Sequence, residues 1–352
     1  ARLLAGPSKA LAGSVRTGFP VGTQLVSVRR DSGGTYRVTL SPQALQADAL
    51  ARQGLSAQLV WTLREADPQF RRLVVSVGDQ PFKVPGKDDV QNANDWMEYE
   101  PERLAPGPAY YLAGGKVRVT GNGAAPVATR ALTVDAVAVT PDRSKIAVVE
   151  SAATGQLPQL RIGETSANAL PVVARVAGLT SLSWGSGEQG LWLLNGRGQV
   201  LLVRKGKAVQ TVQVAPLIGR VTALSLSRDG IRAALVAGGR LYVGRVQSST
   251  QGTALEGLIQ VTPELTGITE VAWRDGTSLL VLGLLSQTFV PVLVTVDGAT
   301  VRPEPVSGLP GRPQEVATSS LGTFVTVLGR LYQRGPLGFR AGPSGRGPTY
   351  PG

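Results

Sequence analysis

The sequence predicts a mainly β protein in which a β-propeller follows a small, N-terminally truncated α/β domain. The second half of the chain repeats a pattern of short strands at intervals of 42 to 47 residues, which is typical of propeller blades. The 352 residues include 44 glycines and 24 prolines, with only 5% aromatics. This composition indicates many short elements joined by tight turns.

Residues 1–86 mix a helical period with strands, and we assign them to the α/β domain. A short helix is expected at 7–15, where a proline is tolerated in the first turn. A hairpin follows, with strands at 23–29 and 35–40 joined by a turn at 31–34.

A long helix and a last strand are expected to complete this domain. Ser41 and Pro42 are a favourable helix start, because serine caps free amides and proline tolerates the first helical position. Leucines then recur every four or five residues, with Gly54 as a weak point: Leu45, Leu50, Leu55, Leu59 and Leu63. The strand is predicted at 73–77. The domain then lacks a partner strand on its N-terminal side, as expected for a truncated domain.

Residues 87–107 are polar and contain bulky aromatics and helix-breaking prolines, so we interpret them as a connector. They hold the main acidic concentration of the chain: Asp88, Asp89, Asp95, Glu98, Glu100 and Glu102. The spacing fits no EF-hand loop, and a solvated linker is favoured over a metal or catalytic site. Trp96, Met97 and Tyr99 are candidates for a contact surface or for packing between the two domains.

Residues 108–352 contain the repeat, whose first strand has five copies: 134–139, 179–184, 221–226, 268–273 and 313–318. The third positions of these copies are Ala136, Ser181, Ala223, Glu270 and Glu315. The clearest unit continues with strands at 231–236 and 241–246 around Gly238 and Gly239. Three or four strands in each unit describe one blade.

Residues 110–119 match the middle of a blade but have no copy of its first strand. This part-blade predicts ring closure, in which strands from both ends of the propeller complete one sheet. Six blades are preferred, with five or seven as alternatives. The segment 335–352 is either a loose tail or is held against the ring by Phe339 and Tyr350.

No catalytic, cofactor-binding or metal-binding residue is predicted, and partner-binding residues are left unassigned. The chain has no cysteine or histidine, which removes thiol nucleophiles, imidazole bases and the usual zinc or haem ligands. Residues 185–190 fit G-x-G-x-x-G but lie between two predicted strands, so a hairpin loop is favoured over a dinucleotide site. Gly115-Lys116 and Gly206-Lys207 are interpreted as turns, because neither opens a helix. Trp184, Trp192 and Trp273 are expected to pack between blades.

The net charge of +12 favours anionic surfaces. Nucleic-acid binding is not predicted, because few aromatics accompany the arginines and because these are scattered singly: Arg175, Arg197, Arg220, Arg240, Arg274 and Arg330.

Residues 3–8, 20–28 and 36–41 resemble the signature of the GerM (sporulation and spore germination) domain. With the propeller repeat and the end at 348–352, the whole chain resembles the actinobacterial LpqB lipoprotein family. The resemblance implies a secreted, non-catalytic protein that is lipidated on a cysteine outside this chain and held at the outer face of the cell membrane. It also implies an accessory of the MtrA/MtrB two-component system that binds the extracytoplasmic domain of the sensor kinase MtrB.

Two other functions are also compatible with the sequence. A receptor for cell-wall glycans or a small ligand is suggested by the basic charge and by the pocket that a propeller axis offers. A propeller hydrolase would need acidic side chains around the axis. The predicted inner strands offer mainly small residues there, with Asp135, Glu270 and Glu315 as exceptions.

Overall fold

A computed structural model of the chain describes residues 3–6, 17–100, 107–121, 123–185, 190–217, 219–249 and 252–352. The chain forms two compact units, Ala1–Ala105 and Pro106–Gly352. The helix predicted at 7–15 lies outside the described residues.

The first unit contains a mixed sheet and one α-helix. Its strands are β1 (Leu25–Arg30), β2 (Thr35–Leu40), β3 (Arg72–Val77), β4 (Gln80–Pro81) and β5 (Val90–Gln91), and α1 spans Ala49–Ala66. β1 and β2 form the predicted antiparallel hairpin. β2 and β3 are parallel, and α1 supplies the crossover that a parallel pair requires. β4 and β5 both pair with β3.

The predicted long helix begins later than its leucine spacing indicated. Residues Pro42–Gln46 form a separate 3₁₀ helix, and the Ser41 hydroxyl accepts the Gln24 N–H at 2.9 Å instead of capping a helix. Asp48 is the N-cap of α1, because its Oδ1 accepts the Ala51 N–H at 2.8 Å. Leu55 is fully buried, while Leu50 is 68% exposed. The regular leucine spacing therefore runs through two separate helices, although it predicted a single long one.

Residues 90–99, within the segment predicted to be a connector, pack into the first unit. A 3₁₀ helix spans Ala93–Tyr99, and Trp96 is fully buried in the core of this unit. The Trp96 Nε1–H donates to Gln91 Oε1 at 3.1 Å, and its carbonyl accepts the Trp61 Nε1–H at 3.0 Å. The expectation that Trp96 belongs to a contact surface is therefore wrong, whereas Met97 is 46% exposed.

The described residues of the second unit form six sheets. Each of five sheets is built from strands that follow one another along the chain. The first is β8 (Val134–Val139), β9 (Lys145–Glu150), β10 (Gln159–Glu164) and β11 (Val172–Arg175). The second is β12 (Leu179–Trp184), β13 (Leu191–Asn195), β14 (Val200–Val203) and β15 (Gln210–Thr211). The third is β17 (Val221–Leu226), β18 (Arg232–Ala237), β19 (Arg240–Ser249) and β20 (Gly252–Val261), with β16 (Gln213–Val214) beside β20. The fourth is β21 (Thr266–Trp273), β22 (Ser278–Leu285), β23 (Thr288–Thr295) and β24 (Val301–Pro303). The fifth is β25 (Glu315–Ser319), β26 (Gly322–Val327), β27 (Arg330–Gly335) and β28 (Gly338–Ser344).

The sixth sheet joins the two ends of the second unit, as predicted. It consists of β29 (Arg346–Thr349), β6 (Tyr110–Ala113) and β7 (Lys116–Val119), in that order. The first strands of the six sheets contact one another in turn around a ring, β8, β12, β17, β21, β25 and β29, and β29 contacts β8. The mainly β class, the propeller and the preferred count of six blades are confirmed.

The predicted first strands of the blades match the structure closely. Those at 134–139, 179–184 and 221–226 coincide with β8, β12 and β17. The last copy begins at Glu315 instead of Pro313, since proline has no N–H for a strand ladder. Trp184, Trp192 and Trp273 are buried, as expected. Phe339 is buried as well, so the end of the chain is built into the ring.

Candidate functional site

The six inner strands surround a cavity on the propeller axis with a volume of about 560 Å³. Four of the five third-position residues of the repeat line it: Ala136, Ser181, Glu270 and Glu315. The fifth, Ala223, is buried in a core cluster with residues of the fourth blade. The repeat therefore places equivalent residues of successive blades around one axis, which makes this cavity the candidate site.

Two carboxyl groups on neighbouring inner strands line this cavity. Glu270 lies on β21 and Glu315 on the neighbouring strand β25. Burial raises the pKa of Glu270 to about 8, and the Glu315 carboxylate contributes to the rise. The Glu315 Oε2 accepts the Gly347 N–H at 2.6 Å. This pKa favours the protonated form of Glu270 at neutral pH, and a protonated carboxyl group is a hydrogen-bond donor as well as an acceptor.

An ion pair lies at the end of the cavity where the inner strands begin. Arg346 Nη2 is 3.2 Å from Asp135 Oδ1, and both side chains are about half exposed, at 54% and 49%. Arg346 begins β29 and Asp135 is the second residue of β8. The charge of Asp135 is thus partly neutralised by the strand that closes the ring.

The opposite end of the cavity is lined by aromatic and backbone groups. The Trp273 Nε1–H donates to the Ser225 carbonyl at 3.0 Å, and the Arg232 guanidinium lies 5.2 Å from the Trp273 ring centroid. The Gly352 N–H donates to the Val139 carbonyl at 2.9 Å. The last residues of the chain therefore form part of the cavity wall.

This arrangement suits a polar ligand held by hydrogen bonds. The described part of the chain contains no group of three or more Asp or Glu side chains suited to a metal ion. The sequence singled out Asp135, Glu270 and Glu315 as exceptions among small residues but did not bring the two glutamates together. Glu270 and Glu315 occupy equivalent positions in consecutive repeats. This equivalence is the sequence signal from which their proximity could have been predicted.

The glycine-containing sequence motifs have structural roles. Residues 185–190 join the antiparallel strands β12 and β13, with the Gly185 N–H donating to the Gly190 carbonyl at 2.9 Å, and residues 186–189 lie outside the described residues. Gly115 and Gly206 lie at turns with φ of 70° and 69°, which glycine adopts readily.

Three of the described acidic residues of 88–100 make local contacts. Asp89 Oδ2 is 2.6 Å from Lys83 Nζ, and Asp95 completes a capping box with Asn92. Glu98 lies 3.8 Å from Lys87. Glu102 is outside the described residues.

Among the described residues, no helix combines the length and the apolar character needed to cross a membrane.

Two family models match the chain. The model described as lipoprotein LpqB β-propeller domain matches residues 114–351, and the model described as sporulation and spore germination matches residues 1–82. The first match alone covers more than half of the chain.

Relatives of known name match along most of the chain. A protein of Thermobifida fusca named lipoprotein LpqB is 26% identical over 84% of this chain and 55% of its own length. One of Streptomyces coelicolor with the same name is 27% identical over 99% of this chain and 62% of its own length. The chain therefore spans little more than half the length of these relatives.

Among solved structures, a chain of the nidogen/laminin complex has a TM-score of 0.51 at 8% identity and covers 69% of this chain and 97% of that chain. At this identity the likeness concerns the fold alone.

Proposed function

Because this chain belongs to the lipoprotein LpqB family, we propose that it is an extracytoplasmic, lipid-anchored accessory protein that binds the sensor kinase of the MtrA/MtrB two-component system. The relatives carry the name of a lipoprotein, which supports anchoring at the outer face of the cell membrane. In this proposal the chain acts as a binding protein without catalytic chemistry of its own.

Closure of the ring is the observation that carries the proposal. Thr349 pairs with Tyr110 and Arg346 pairs with Leu112, so the first and last strands of the propeller hold one sheet together. The loops at both faces are therefore presented by a closed scaffold. A surface that is ordered before binding loses less conformational entropy when a partner docks, which favours protein recognition.

Binding changes signalling only if the propeller prefers one state of the kinase. A partner shifts a conformational equilibrium by the ratio of its affinities for the two states, however tightly it binds either one. A tenfold preference corresponds to about 1.4 kcal/mol. This is well within what a few interfacial hydrogen bonds supply.

Direct binding to the kinase tests the proposal. We expect saturable, one-to-one binding between the 352-residue chain and the extracytoplasmic domain of the kinase, measured by isothermal titration calorimetry. The chain should also change the autophosphorylation rate of the full-length kinase in proteoliposomes. A chain ending at Ser344, which lacks β29, is the control and should bind more weakly. Failure of the folded full chain to bind at about 100 μM would contradict the proposal.

The axial cavity favours a second candidate function, that of a receptor for a cell-wall glycan or another small polar ligand. Its volume of about 560 Å³ lies within the usual range of ligand sites, and Glu270 and Glu315 supply polar groups inside it. A ligand that binds only the folded state raises the melting temperature. We expect such a rise with one class of glycan in a thermal-shift screen and its loss in Glu315→Gln. A screen without any stabilising compound would exclude this candidate.

A further inference from the structure

The up-and-down strand order of each blade decides which turns share a face of the propeller. Since neighbouring strands are antiparallel, the turn between the second and third strands lies on the same face as the segment that leads into a first strand. Hydrogen bonds connect these two kinds of segment between blades. Val134 N–H donates to Gly115 at 2.8 Å, Ile268 N–H to Gly239 at 3.0 Å, and Gly345 N–H to Gly329 at 2.8 Å.

Arginines that are far apart in sequence come together on this face. Arg197, Arg240 and Arg330 lie in or directly after turns between second and third strands, whereas Arg220 and Arg312 lie on segments that lead into first strands. All five are exposed, and we call the surface that they define the arginine face. Arg197 and Arg240 are 43 residues apart and lie on adjacent blades, whereas Arg330 follows 90 residues after Arg240 and lies two blades further around the ring.

The arginine face carries an excess of positive charge. The ion pairs found among the described residues include none of these five arginines. Arg220 donates to the Gly196 carbonyl at 2.9 Å, which holds its guanidinium beside the turn that carries Arg197. The exposed acidic groups on this face are Glu264, which precedes β21, and Asp135, which is already paired with Arg346.

The opposite face mixes exposed basic side chains, such as Arg143 and Arg340, with more exposed acidic ones than the arginine face has. Its turns carry aspartates that accept N–H groups of their own turns: Asp142, Asp229, Asp275 and Asp297. Lysines stand among them, including the exposed Lys145, Lys205 and Lys207. Among the described residues, the arginine face therefore differs from the opposite face in exposing fewer acidic side chains.

An apolar side chain also projects from the arginine face. Leu328 is 79% exposed and has a φ of 50°, a left-handed conformation that is unfavourable for leucine. It lies two residues before Arg330 and shares a surface depression with Arg312 and Gln314. An exposed leucine among basic side chains is typical of surfaces that enter the headgroup region of a bilayer.

We propose that the arginine face binds an anionic phospholipid surface, with the guanidinium groups on lipid phosphates and Leu328 in the interfacial region. Arginine matches phosphate through paired N–H groups. The five charges lie on the second, third and fifth blades, and two of them directly follow the two-residue turns 238–239 and 328–329. Such a spread over one face matches a planar array of phosphates. A soluble polyanion would use the charges but would give Leu328 no apolar partner. This binding is independent of any contact with the kinase.

Vesicle binding of the 352-residue chain tests this inference. The probes are vesicles of pure phosphatidylcholine and vesicles of equimolar phosphatidylcholine and phosphatidylglycerol, with binding measured by cosedimentation. We expect binding to the phosphatidylglycerol vesicles that weakens as salt is added. The triple variant Arg197→Gln, Arg240→Gln, Arg330→Gln should bind more weakly by roughly fivefold for each residue, or on the order of a hundredfold in total.

A matched variant controls for the change of net charge. Lys145→Gln, Lys205→Gln, Lys207→Gln removes the same charge from the opposite face and should bind within about twofold of the original chain. Leu328→Ser should weaken vesicle binding without changing its dependence on salt. Unchanged circular dichroism spectra and melting temperatures of the variants show that the fold is preserved.

Three results would overturn the inference. The first is equal binding to the two kinds of vesicle, or no binding to either. The second is equal loss of binding in the two triple variants. The third is binding to a soluble glycerol phosphate polymer as tight as to vesicles, together with no effect of Leu328→Ser, which would assign the face to a wall polymer instead of a membrane.

Discussion

Thr349, near the end of the chain, lies directly opposite Tyr110, the first residue of the first strand of the propeller. The pair belongs to a sheet whose inner strand, β29, comes from the C-terminal end and whose other strands come from the N-terminal end of the second unit. The ring therefore has no open inner edge at the junction of its ends, where unpaired backbone groups would otherwise invite pairing with another chain.

Truncation after Ser344 should destabilise the propeller, because it removes β29. Leu112 is 1% exposed and Tyr110 is 8% exposed, and uncovering a large apolar side chain costs roughly 1.5 to 3 kcal/mol. We expect a loss of at least about 3 kcal/mol, measured as a lower urea midpoint for the propeller transition. Arg346→Ala, which removes only a half-exposed ion pair, should cost at most about 1 kcal/mol. An unchanged midpoint after truncation would refute closure by β29.

Trp96→Ala should unfold the first unit more readily by about 3 to 5 kcal/mol, as for other buried tryptophans. The side chain is fully buried, and its loss also leaves Gln91 without the indole N–H that it accepts. Met97→Ala, at the next position but 46% exposed, should cost less than about 1 kcal/mol. Calorimetry that resolves separate transitions for the two units would check both values. Equal effects of the two substitutions on stability would indicate that residues 90–99 are a connector and do not belong to the core of the first unit.

Glu270→Gln should reduce the pH dependence of stability between about pH 4.5 and pH 8. The folded state raises the pKa of Glu270 from 4.5 to about 8. Below pH 4.5 both states hold the proton and no penalty exists. As the pH rises from 4.5 to 8 the unfolded state loses this proton while the folded state keeps it, so stability falls with pH in this window.

Urea unfolding of the original chain and Glu270→Gln at pH 5 and pH 8 measures this effect. The variant should gain stability relative to the original chain at pH 8 and should show little or no gain at pH 5. Glu264→Gln, at an exposed position, is the control and should leave the pH dependence unchanged. The same pH dependence in the original chain and Glu270→Gln would show that Glu270 titrates normally.

Leu328→Asn should stabilise the propeller by about 1 kcal/mol, because asparagine tolerates the left-handed conformation better than leucine does. Leu328 and Gly329 both have positive φ, and Asn-Gly is the preferred pair for such a hairpin turn. Ile259→Asn, at an exposed strand position, serves as the control and should not stabilise the fold. A fall in melting temperature with Leu328→Asn would indicate that the leucine makes a stabilising contact.

The blades were predictable from sequence because their repeat carries two signals at once. Alternation of side chains identifies a strand, and recurrence of the same strand at a fixed interval identifies the blade. Closure was predictable for the same reason, since the strands beginning at Tyr110 lacked a copy of the first strand of the repeat. Each of these inferences depends on the pattern along the sequence and needs no knowledge of which distant segments are in contact.

Contacts between distant segments were not predictable in the same way. The burial of Trp96 depends on the pairing of β5 with β3 and on the hydrogen bond from Trp61. The polar sequence around Trp96 predicts neither of these contacts. The Ser41 cap was displaced by Asp48 because Ser41 instead accepts an N–H from Gln24. The arginine face is likewise invisible to a search along the chain, since its members are neighbours only around the ring.

Hydrogen exchange of the 352-residue chain, with and without a saturating amount of the kinase extracytoplasmic domain, tests most directly whether the closed propeller is a binding scaffold. We predict slower exchange in loops at a face of the propeller when the partner is present, with β6 and β29 protected in both states. Unchanged exchange throughout the propeller at saturation, or protection confined to the first unit, would contradict the account.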